Sequence, residues 1–353
     1  MANKFLSNAK SAKNDEFYTQ YADIEIEVNA YLEYDPNVFR GKTVLLPCDD
    51  PEWSNFTKFF AQRFQMLGLK KLISTSYAPE SKNYKEGYQL TLFETEAPQF
   101  DPDKTRTHGK IFVLENDNTG DGRIDYHDIE WQYLDGDGDF RSPEVCRLRD
   151  EADIIVTNPP FSLFREFMAW IMDARKNFLI IGSMNAVTYK EIFPYIKNNR
   201  IWLGNGFKNG NAYFVSANIR EYANGVFNES TGLVKFRNCI WMTNLEHGRR
   251  HQPLSLMTME ENLKYSKHKE LKGKHAYDYY DNYDAIEVPF TDAIPSDYEG
   301  VMGVPVSFLD KYCPEQFEII GQMANTNIDE YNFGYPFVNG ERKYARILIR
   351  KKQ

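Results

Sequence analysis

Short apolar runs alternate with segments of helical spacing through the first part of the chain. Residues 42–46 form one such run and lead into Pro-Cys-Asp-Asp-Pro, which predicts a buried strand followed by a turn. Residues 72–76 predict a second strand, and residues 54–67 between the two predict a helix. The apolar positions of that helix are Phe56, Phe59, Phe60, Phe64 and Leu67. The order strand, helix, strand predicts an α/β protein with a parallel sheet.

The alternation continues to about residue 245 and then stops. Strands are also predicted at 110–114, 153–157, 178–182 and 239–243, and helices at 23–34 and 164–174. Another helix is predicted to begin at Ser142-Pro143-Glu144, where an N-cap residue precedes a proline. After Asn244 the chain becomes polar, charged and rich in tyrosine. We therefore predict two domains, residues 1–245 and residues 246–353.

Composition and charge narrow the class of protein. The chain has 353 residues, of which 42% are hydrophobic, an ordinary value for a globular protein. A net charge of −9 lowers the expectation of nucleic-acid binding, but acidic residues concentrate at 117–153 and the C-terminal part is richer in basic ones. The four cysteines are scattered without a CxxC pair, so we expect neither zinc nor disulfides, and a cytoplasmic location. The polar N-terminus has no apolar run long enough to span a membrane, so we expect no membrane association.

The motif that carries most chemistry is Asn158-Pro159-Pro160-Phe161, directly after the predicted strand at 153–157. In open α/β sheets ligands bind beyond the carboxyl ends of the strands, and two prolines stiffen the turn. Oxygen atoms fixed by such a turn could act on an aromatic amine, for example the exocyclic amine of adenine. That amine is a poor nucleophile because its lone pair is delocalised into the ring. The side-chain oxygen of Asn158 and the backbone oxygen of Pro159 are acceptors that could hold this amine and stabilise the positive charge that develops on it. Phe161 offers an aromatic face to a flipped base. The alternative is a structural proline-rich turn with Phe161 in the core.

Other motifs accompany this turn. They are Asp15-Glu16-Phe17-Tyr18-Thr19-Gln20, Cys48-Asp49-Asp50-Pro51 with Ser54-Asn55-Phe56, Gly136-Asp137-Gly138-Asp139-Phe140-Arg141-Ser142, Gly303-Val304-Pro305-Val306-Ser307-Phe308-Leu309, and Phe317-Glu318-Ile319-Ile320-Gly321. Together with the proline turn they resemble the EcoRI-type family of adenine-specific DNA methyltransferases over nearly the whole chain. The resemblance implies a Rossmann-like sheet that binds S-adenosylmethionine and a smaller C-terminal α+β target-recognition domain.

The resemblance also implies roles for particular residues. The candidate cofactor-binding residues are Phe17, Tyr18, Thr19, Asp49, Asp50, Asp139 and Phe140. The first three belong to an element that packs over the cofactor in such enzymes. The Cys48-Asp49-Asp50 turn stands where a glycine-rich loop is usual, and Asp139-Phe140 resembles the motif that lines the adenosine pocket. An acid that binds the ribose hydroxyls is expected after the second strand, but the sequence there is Ser74-Thr75-Ser76.

The expected partner is double-stranded DNA, from which one adenine flips out, within or derived from a restriction-modification system. A cognate restriction endonuclease acting on the same site is a further expected partner. The basic runs at 247–251 and 264–275 are candidate DNA contacts, with a solvated charged face as the ordinary alternative. The segment around Asn339-Gly340 predicts a β-hairpin in the basic C-terminal tail.

An acidic segment matches part of a calcium-binding loop. The candidate ligands are Asp117, Asp121, Asp125 and Asp128, with Gly122 at the sixth position. Two interpretations stay open here: a structural calcium site, and an acidic solvated insertion. Pro47-Cys48 resembles the nucleophilic pair of cytosine-C5 methyltransferases, but two acids follow it, and we interpret Cys48 as structural.

Three alternative functions remain at this stage. A glutamine-N5 protein methyltransferase also uses an Asn-Pro-Pro-aromatic turn, but a protein substrate predicts a weaker salt dependence than phosphate contacts do. A cytosine-N4 DNA methyltransferase shares the chemistry but usually has Ser or Asp in place of Asn158. The third is a binding module that has lost its catalytic activity.

Overall fold

A mixed β-sheet organises the first of the two units into which the chain divides. The computed structural model describes residues 18–49, 54–78, 97–207, 211–215 and 225–352. The first unit comprises Met1–Ser183 and Gly206–Leu245, and the second comprises Met184–Asn205 and Glu246–Gln353. The sequence suggested one boundary near residue 245. The structure adds that an internal segment, Met184–Asn205, groups with the C-terminal residues.

Twelve strands lie within the described part of the chain up to residue 245. They are β1 (Tyr18–Thr19), β2 (Thr43–Leu46), β3 (Lys71–Ser76), β4 (Lys110–Leu114), β5 (Glu130–Tyr133), β6 (Ile154–Thr157), β7 (Asn177–Ser183), β8 (Trp202–Leu203, in the second unit), β9 (Asn211–Val215), β10 (Phe227–Asn228), β11 (Leu233–Arg237) and β12 (Cys239–Thr243).

The main sheet of the first unit has the strand order β5-β4-β3-β2-β6-β7-β12. Its four central strands β3, β2, β6 and β7 are parallel, whereas β4, β5 and β12 are antiparallel to their neighbours. All four residues of β2 and all four of β6 are buried, because parallel strands are covered on both faces. The predicted α/β class is therefore confirmed as a mixed α/β fold with a large mixed sheet.

Five helices of the described chain belong to the first unit. They are α1 (Tyr21–Tyr34), α2 (Asn55–Gln62), α3 (Phe64–Leu67), α4 (Pro143–Glu151) and α5 (Phe164–Asp173). The single helix predicted at 54–67 is in fact two, because Arg63 leaves the helical region with φ −107° and ψ 11°. Ser54 and Ser142 cap α2 and α4 with their side chains, as polar N-cap residues do, so the predicted start of α4 is confirmed.

A smaller four-stranded sheet also belongs to the first unit, in the order β1-β9-β11-β10, with antiparallel neighbours throughout. In it, Tyr18 faces Val215 and Thr19 faces Phe214. The residues just after the DEF part of the N-terminal motif are therefore held by strand pairing with a segment almost two hundred positions later in the sequence.

The second unit has its own sheet and a hairpin. Its helices are α6 (Phe193–Lys197) and α7 (Met259–Tyr265), and its later strands are β13 (Ile286–Glu287), β14 (Met302–Pro305), β15 (Phe317–Met323), β16 (Phe337–Val338), β17 (Glu341–Arg342) and β18 (Arg346–Lys351). The sheet order is β13-β14-β18-β15. The hairpin predicted about Asn339-Gly340 is confirmed, since β16 and β17 pair across it and both turn residues have positive φ.

A buried ion pair connects two strands of the second unit. The guanidinium of Arg346 donates to both carboxylate oxygens of Glu287, and the hydroxyl of Tyr280 donates to the same carboxylate. Breaking one partner of such a buried set leaves an uncompensated charge, so these residues fix β18 against β13 and β14.

Two absences can be stated for the described residues. Among them no helix is long and apolar enough to cross a membrane. All four cysteines lie in described segments, and none of them forms a disulfide there.

Candidate active site

The carboxyl ends of β2 and β6 lie side by side in the main sheet. The two strands are parallel, with Val44 opposite Ile154 and Leu45 opposite Ile155. From β2 the chain continues to β3 on one side, whereas β6 continues to β7 on the other. This is a topological switch point, where the crossovers leave a crevice that open α/β sheets use for ligands. The Cys48-Asp49 turn follows β2 here, and Asn158 follows β6.

The carboxylate of Asp49 is fixed by hydroxyls from two other elements. The hydroxyl of Ser54 at the start of α2 lies 2.8 Å from Oδ1, and that of Thr157 at the end of β6 lies 2.5 Å from Oδ2. The Thr157 hydroxyl also lies 2.8 Å from the carbonyl oxygen of Pro47. Asp49 is only 5% exposed, so these contacts replace most of its water. Thr157 thus joins the turns that follow β2 and β6.

The turn after β2 holds Cys48 in a backbone conformation that usually favours glycine. Cys48 has φ 66°, in the left-handed region that most side chains avoid. Its amide donates weakly to the hydroxyl of Thr75, at 3.4 Å, and the carbonyl of Asp49 accepts from the hydroxyls of Thr57 and Ser74. The polar residues of β3, which occupy the position where a ribose-binding acid was expected, therefore anchor this turn.

The strand β1 is tied to the same place. The side-chain amide of Asn55, the first residue of α2, donates to the carbonyl of Thr19 at 2.7 Å. Thr19 is 2% exposed, and within the described chain its hydroxyl has no hydrogen-bond partner. A buried hydroxyl without a partner is costly, so this one is a candidate contact for a polar group of a ligand.

The proline turn follows β6 at the same edge of the sheet. Asn158 is half-buried, Pro159 and Pro160 are buried, and Phe161 is half-buried at the start of a short 3₁₀ helix, Phe161–Leu163. The ring of Phe161 packs against that of Phe236 on β11, with centroids 5.8 Å apart and planes at 64°. Phe236 was not singled out from the sequence, because only the pairing of β11 with β9 brings it near the turn.

The Gly136-to-Ser142 motif packs against the end of β3. The amide of Ala78 donates to the carbonyl of Asp137 at 2.8 Å. Gly138 has φ 83°, and a Cβ there would lie 2.2 Å from the carbonyl oxygen of Ser76, so only glycine permits this approach. Asp139, next in the chain, is thereby held near the end of a central parallel strand.

The two candidate residues of this motif have different surroundings. The carboxylate of Asp139 is paired with Arg141, with nitrogen–oxygen distances of 2.9 and 2.6 Å, and its side chain is 15% exposed. The ring of Phe140 is fully buried and packs edge-on against Phe167, with centroids 5.0 Å apart, and against Trp170 at 5.7 Å. These contacts favour a supporting role for Phe140 beneath the loop.

Comparison with known proteins identifies the family. A family model described as adenine-specific methyltransferase EcoRI matches residues 5–352. The type II methyltransferase M.EcoRI of Escherichia coli is 41% identical over 354 positions, covering 99% of this chain and 97% of that protein. M.MpnI of Mycoplasma pneumoniae is 33% identical, covering 99% of this chain and 98% of its own. The chain belongs to the EcoRI-type family of adenine-specific methyltransferases.

The family resemblance inferred from the motifs is thus confirmed, and with it a DNA methyltransferase of the type II, adenine-specific class. M.MgeORF184P of Mycoplasma genitalium is also 33% identical and covers 98% of both chains. No solved structure matches the chain significantly. Membership of this family implies the use of S-adenosylmethionine and a DNA substrate.

Two candidate cofactor residues, Phe17 and Asp50, lie outside the described residues. Of the remaining candidates, hydrogen bonds connect three segments to one another. Thr19 is joined to α2 by Asn55, and Asp49 is joined to α2 by Ser54 and to the start of the proline turn by Thr157.

The calcium interpretation of the acidic segment is not supported. Its candidate ligands were Asp117, Asp121, Asp125 and Asp128. The carboxylate of Asp117 accepts three backbone N–H groups at 2.6–3.2 Å, and that of Asp128 accepts three at 2.8–3.0 Å. These donors lower the pKa of Asp128 below its ordinary value. Within the described ranges no group of acidic, His or Cys side chains is placed to hold a metal ion. These carboxylates therefore take part in folding the loop.

The first basic run is held inside the second unit. His247 is buried with Nε2 2.9 Å from the carbonyl of Leu203, and Arg249 pairs with Asp310. Arg250 lies over the ring of Trp202 at 3.8 Å, and His251 contacts Glu246 and Glu315. Burial lowers the pKa of His247 below its ordinary value. This run therefore serves the packing of its own unit.

The second basic run is more exposed. Lys267 and Lys274 have acidic partners, Asp292 and Asp278. Lys269 and Lys272 are exposed, and within the described segments no ion pair engages either of them. These two lysines, together with the exposed Lys264, which lies 5.1 Å from the ring of Tyr265, are positive charges of the run that a phosphate can reach.

Proposed function

We propose that this protein methylates the N6 amine of a specific adenine in double-stranded DNA, using the crevice beyond β2 and β6. The observation that carries the proposal is the set of hydrogen bonds that gathers Thr19, Asp49 and Thr157 next to Asn158. Three family motifs that are remote in sequence meet there. The sheet order supports our proposal of a Rossmann-like arrangement, with the first unit as the catalytic domain.

The residues in the crevice suit S-adenosylmethionine. This molecule carries an ammonium group, hydroxyls and an adenine, which call for an anionic acceptor and several polar partners. Asp49 supplies a fixed carboxylate for the ammonium, and the buried hydroxyl of Thr19 has capacity for one further hydrogen bond. Tyr18, which is 7% exposed, would pack beside it on β1. When bound, the cofactor supplies a methyl group from a positively charged sulfur.

The chemical role of the protein is to hold and polarise the target amine. The side-chain oxygen of Asn158 and the backbone oxygen of Pro159 accept its two N–H bonds, which localises the lone pair on nitrogen. The same two oxygens stabilise the positive charge that appears as nitrogen forms its new bond to carbon. One amine proton then leaves to solvent, and no covalent bond to the enzyme is needed. Phe161, supported by Phe236, stacks on the flipped base.

The second unit is proposed to recognise the target sequence. Exposed Lys269 and Lys272 would contact phosphates, which positions DNA without reading its sequence. A cognate restriction endonuclease acting on the same site is part of this proposal, because the relatives are named type II methyltransferases. Glutamine and cytosine are the rival substrates, and the adenine-specific family favours neither.

Two measurements test the proposal. Expression in a host free of DNA methylation, followed by single-molecule sequencing, should find N6-methyladenine at one short motif. Asn158→Ala should lower turnover on DNA carrying that motif by about a hundredfold or more, the usual cost of losing one preorganised donor or acceptor. Binding of S-adenosylhomocysteine should persist, because Asn158 is assigned to the base. Near-normal turnover of the variant would show that the role assigned to Asn158 is wrong. Methylation of cytosine or glutamine would show that the proposed substrate is wrong.

A further inference from the structure

We propose that Arg141 is a positioning residue for the cofactor's adenine, acting through Asp139, and that it thereby determines the preference for a nucleoside with a 6-amino group. This inference rests on the proposed function, because it assumes that Asp139 accepts a hydrogen bond from the cofactor's amine. Nothing in the family motif itself assigns Arg141 or its second partner, Glu166.

Arg141 grips Asp139 with a two-point contact. Its Nε donates to Oδ1 at 2.9 Å and its Nη2 to Oδ2 at 2.6 Å, while its backbone amide also donates to Oδ1 at 2.9 Å. A planar guanidinium that binds both oxygens of a carboxylate fixes the plane of that carboxylate as well as its position. Asp139 can then present a hydrogen-bond acceptor in one direction only.

The third donor of Arg141 reaches another element. Its Nη1 donates to Glu166 on α5 at 2.7 Å. Helix α5 begins with Phe164, three residues after Phe161 of the proline turn. Arg141 therefore connects the loop that carries Asp139 to the helix that follows the catalytic turn. The Asp139 carboxylate also raises the pKa of Arg141, so the guanidinium keeps its charge at any pH at which the enzyme works.

The backbone of the loop gives this contact a rigid base. The amide of Asp139 donates to the side chain of Asp137 at 3.1 Å, and the amide of Ser142 donates to the carbonyl of Asp139 at 2.9 Å. Ser142 in turn caps α4, and Gly138 packs on the end of β3. With the backbone held on both sides, the contact with Arg141 restricts the rotation of the Asp139 side chain.

The chain offers a matched control in Arg149, an arginine that has no assigned role at the cofactor. Arg149 on α4 also pairs with an acid, Asp150, at 2.8 Å, and also lies over an aromatic ring, at 5.2 Å from that of Trp170. Arg141 lies 5.3 Å from the ring of Phe140. Arg149→Gln therefore removes a similar ion pair and a similar ring contact without touching Asp139.

The experiment measures binding of two ligands to the intact protein by calorimetry. S-adenosylhomocysteine carries the 6-amino group, whereas S-inosylhomocysteine carries a carbonyl there, which turns the donor into an acceptor. The quantity that matters is the ratio of the two dissociation constants. Loss of one hydrogen bond to a charged acceptor corresponds to a change in this ratio of about tenfold or more. We expect the wild-type protein to favour the adenosyl ligand by about that factor.

Arg141→Gln should bring the ratio of the two dissociation constants close to one, mainly by weakening the binding of the adenosyl ligand. Arg141→Lys, which keeps the charge but not the two-point contact, should give an intermediate ratio, and Arg149→Gln should leave it unchanged. Glu166→Gln covers the case in which Arg141→Gln fails to fold, and we expect it to lower the ratio by a smaller factor. A structural role alone would weaken both ligands equally and keep the ratio, which would overturn the inference.

Different results would contradict the proposed function and the inference about Arg141. If wild-type protein binds neither ligand, the proposed function is wrong. If it binds both with the same affinity, or if Arg141→Gln and Glu166→Gln both retain the wild-type ratio, only the inference about Arg141 is wrong.

Discussion

Replacing Thr157 by valine tests the link between the turns that follow β2 and β6. The hydroxyl of Thr157 is fully buried and has one proton for two acceptors, the Asp49 carboxylate at 2.5 Å and the Pro47 carbonyl at 2.8 Å. Valine has the same shape, so no cavity forms and only the hydrogen bond is lost. A buried bond to a charged acceptor contributes about 1.5–3 kcal/mol. We expect the free energy of unfolding in urea to fall by that amount.

The functional effect separates this site from an ordinary buried hydroxyl. Without Thr157, the Asp49 carboxylate retains only the donor from Ser54 and can rotate. We expect the dissociation constant of S-adenosylhomocysteine to rise about five- to tenfold, which corresponds to about 1 kcal/mol of lost preorganisation. Thr157→Ser, which keeps the hydroxyl, should restore most of the affinity.

Thr243 provides the control. It is fully buried at the end of β12, where its hydroxyl donates to Phe178 at 2.7 Å and accepts from the amide of Leu245 at 2.9 Å. Thr243→Val should cost about 1–3 kcal/mol of stability as well, since it also leaves buried backbone groups unpaired. Its affinity for S-adenosylhomocysteine should stay within twofold of wild type. Equal loss of affinity in both variants would refute the reasoning, because it would trace the effect to stability alone.

Three other predictions concern charge, pH and the aromatic contact. Replacing Lys269 and Lys272 together by Gln should reduce the slope of log affinity for DNA against log salt concentration by about one to two. The control variant Lys343→Gln should leave this slope unchanged. An unaltered slope in the double variant would exclude both lysines from the phosphate contacts. In the folded protein the pKa of His247 lies below its unfolded value of 6.5. The unfolded chain therefore binds more protons as the pH falls through this range. The free energy of unfolding decreases as a result, by at most about 1.4 kcal/mol per pH unit. His247→Gln should remove this part of the pH dependence in urea titrations between pH 7.5 and 5.5, and identical curves would contradict it. Phe236→Leu should lower turnover several-fold with unchanged binding of S-adenosylhomocysteine, and a variant with full turnover would show that the ring does not support the flipped base.

The sequence predicted six of the seven strands of the main sheet because their apolar runs are nearly continuous, but it missed β5, in which polar residues alternate with aromatic ones. The predicted strand at 153–157 differs by one residue from the observed Ile154–Thr157, and 239–243 coincides with Cys239–Thr243. The split of the helix at Arg63 was not predicted, since Phe56 to Leu67 keep helical spacing across it. Propensity alone did not reveal the interruption.

The candidate site was predicted in its parts but not in its connections. Motif patterns placed Asp49 and Asn158 at strand ends, but Thr157 and Ser54 are ordinary residues whose role appears only when β2 and β6 lie side by side. The structure does not support the calcium interpretation, which arose because the spacing of acids is alike in a metal loop and in a loop of hydrogen-bonded turns. What decides between them is whether the carboxylates face one another or the backbone, as in Asp117, and that depends on the fold.

The route of the chain also constrains how members of this family can be recombined. Met184–Asn205 belongs with the C-terminal residues, and its contacts there include the carbonyl of Thr188 with Gln322 and that of Leu203 with His247. A hybrid that joins the first 245 residues of one enzyme to the remainder of another would give this segment mismatched partners. Exchanging target specificity between relatives therefore requires two simultaneous grafts, and natural shuffling by a single crossover is expected to yield unstable hybrids.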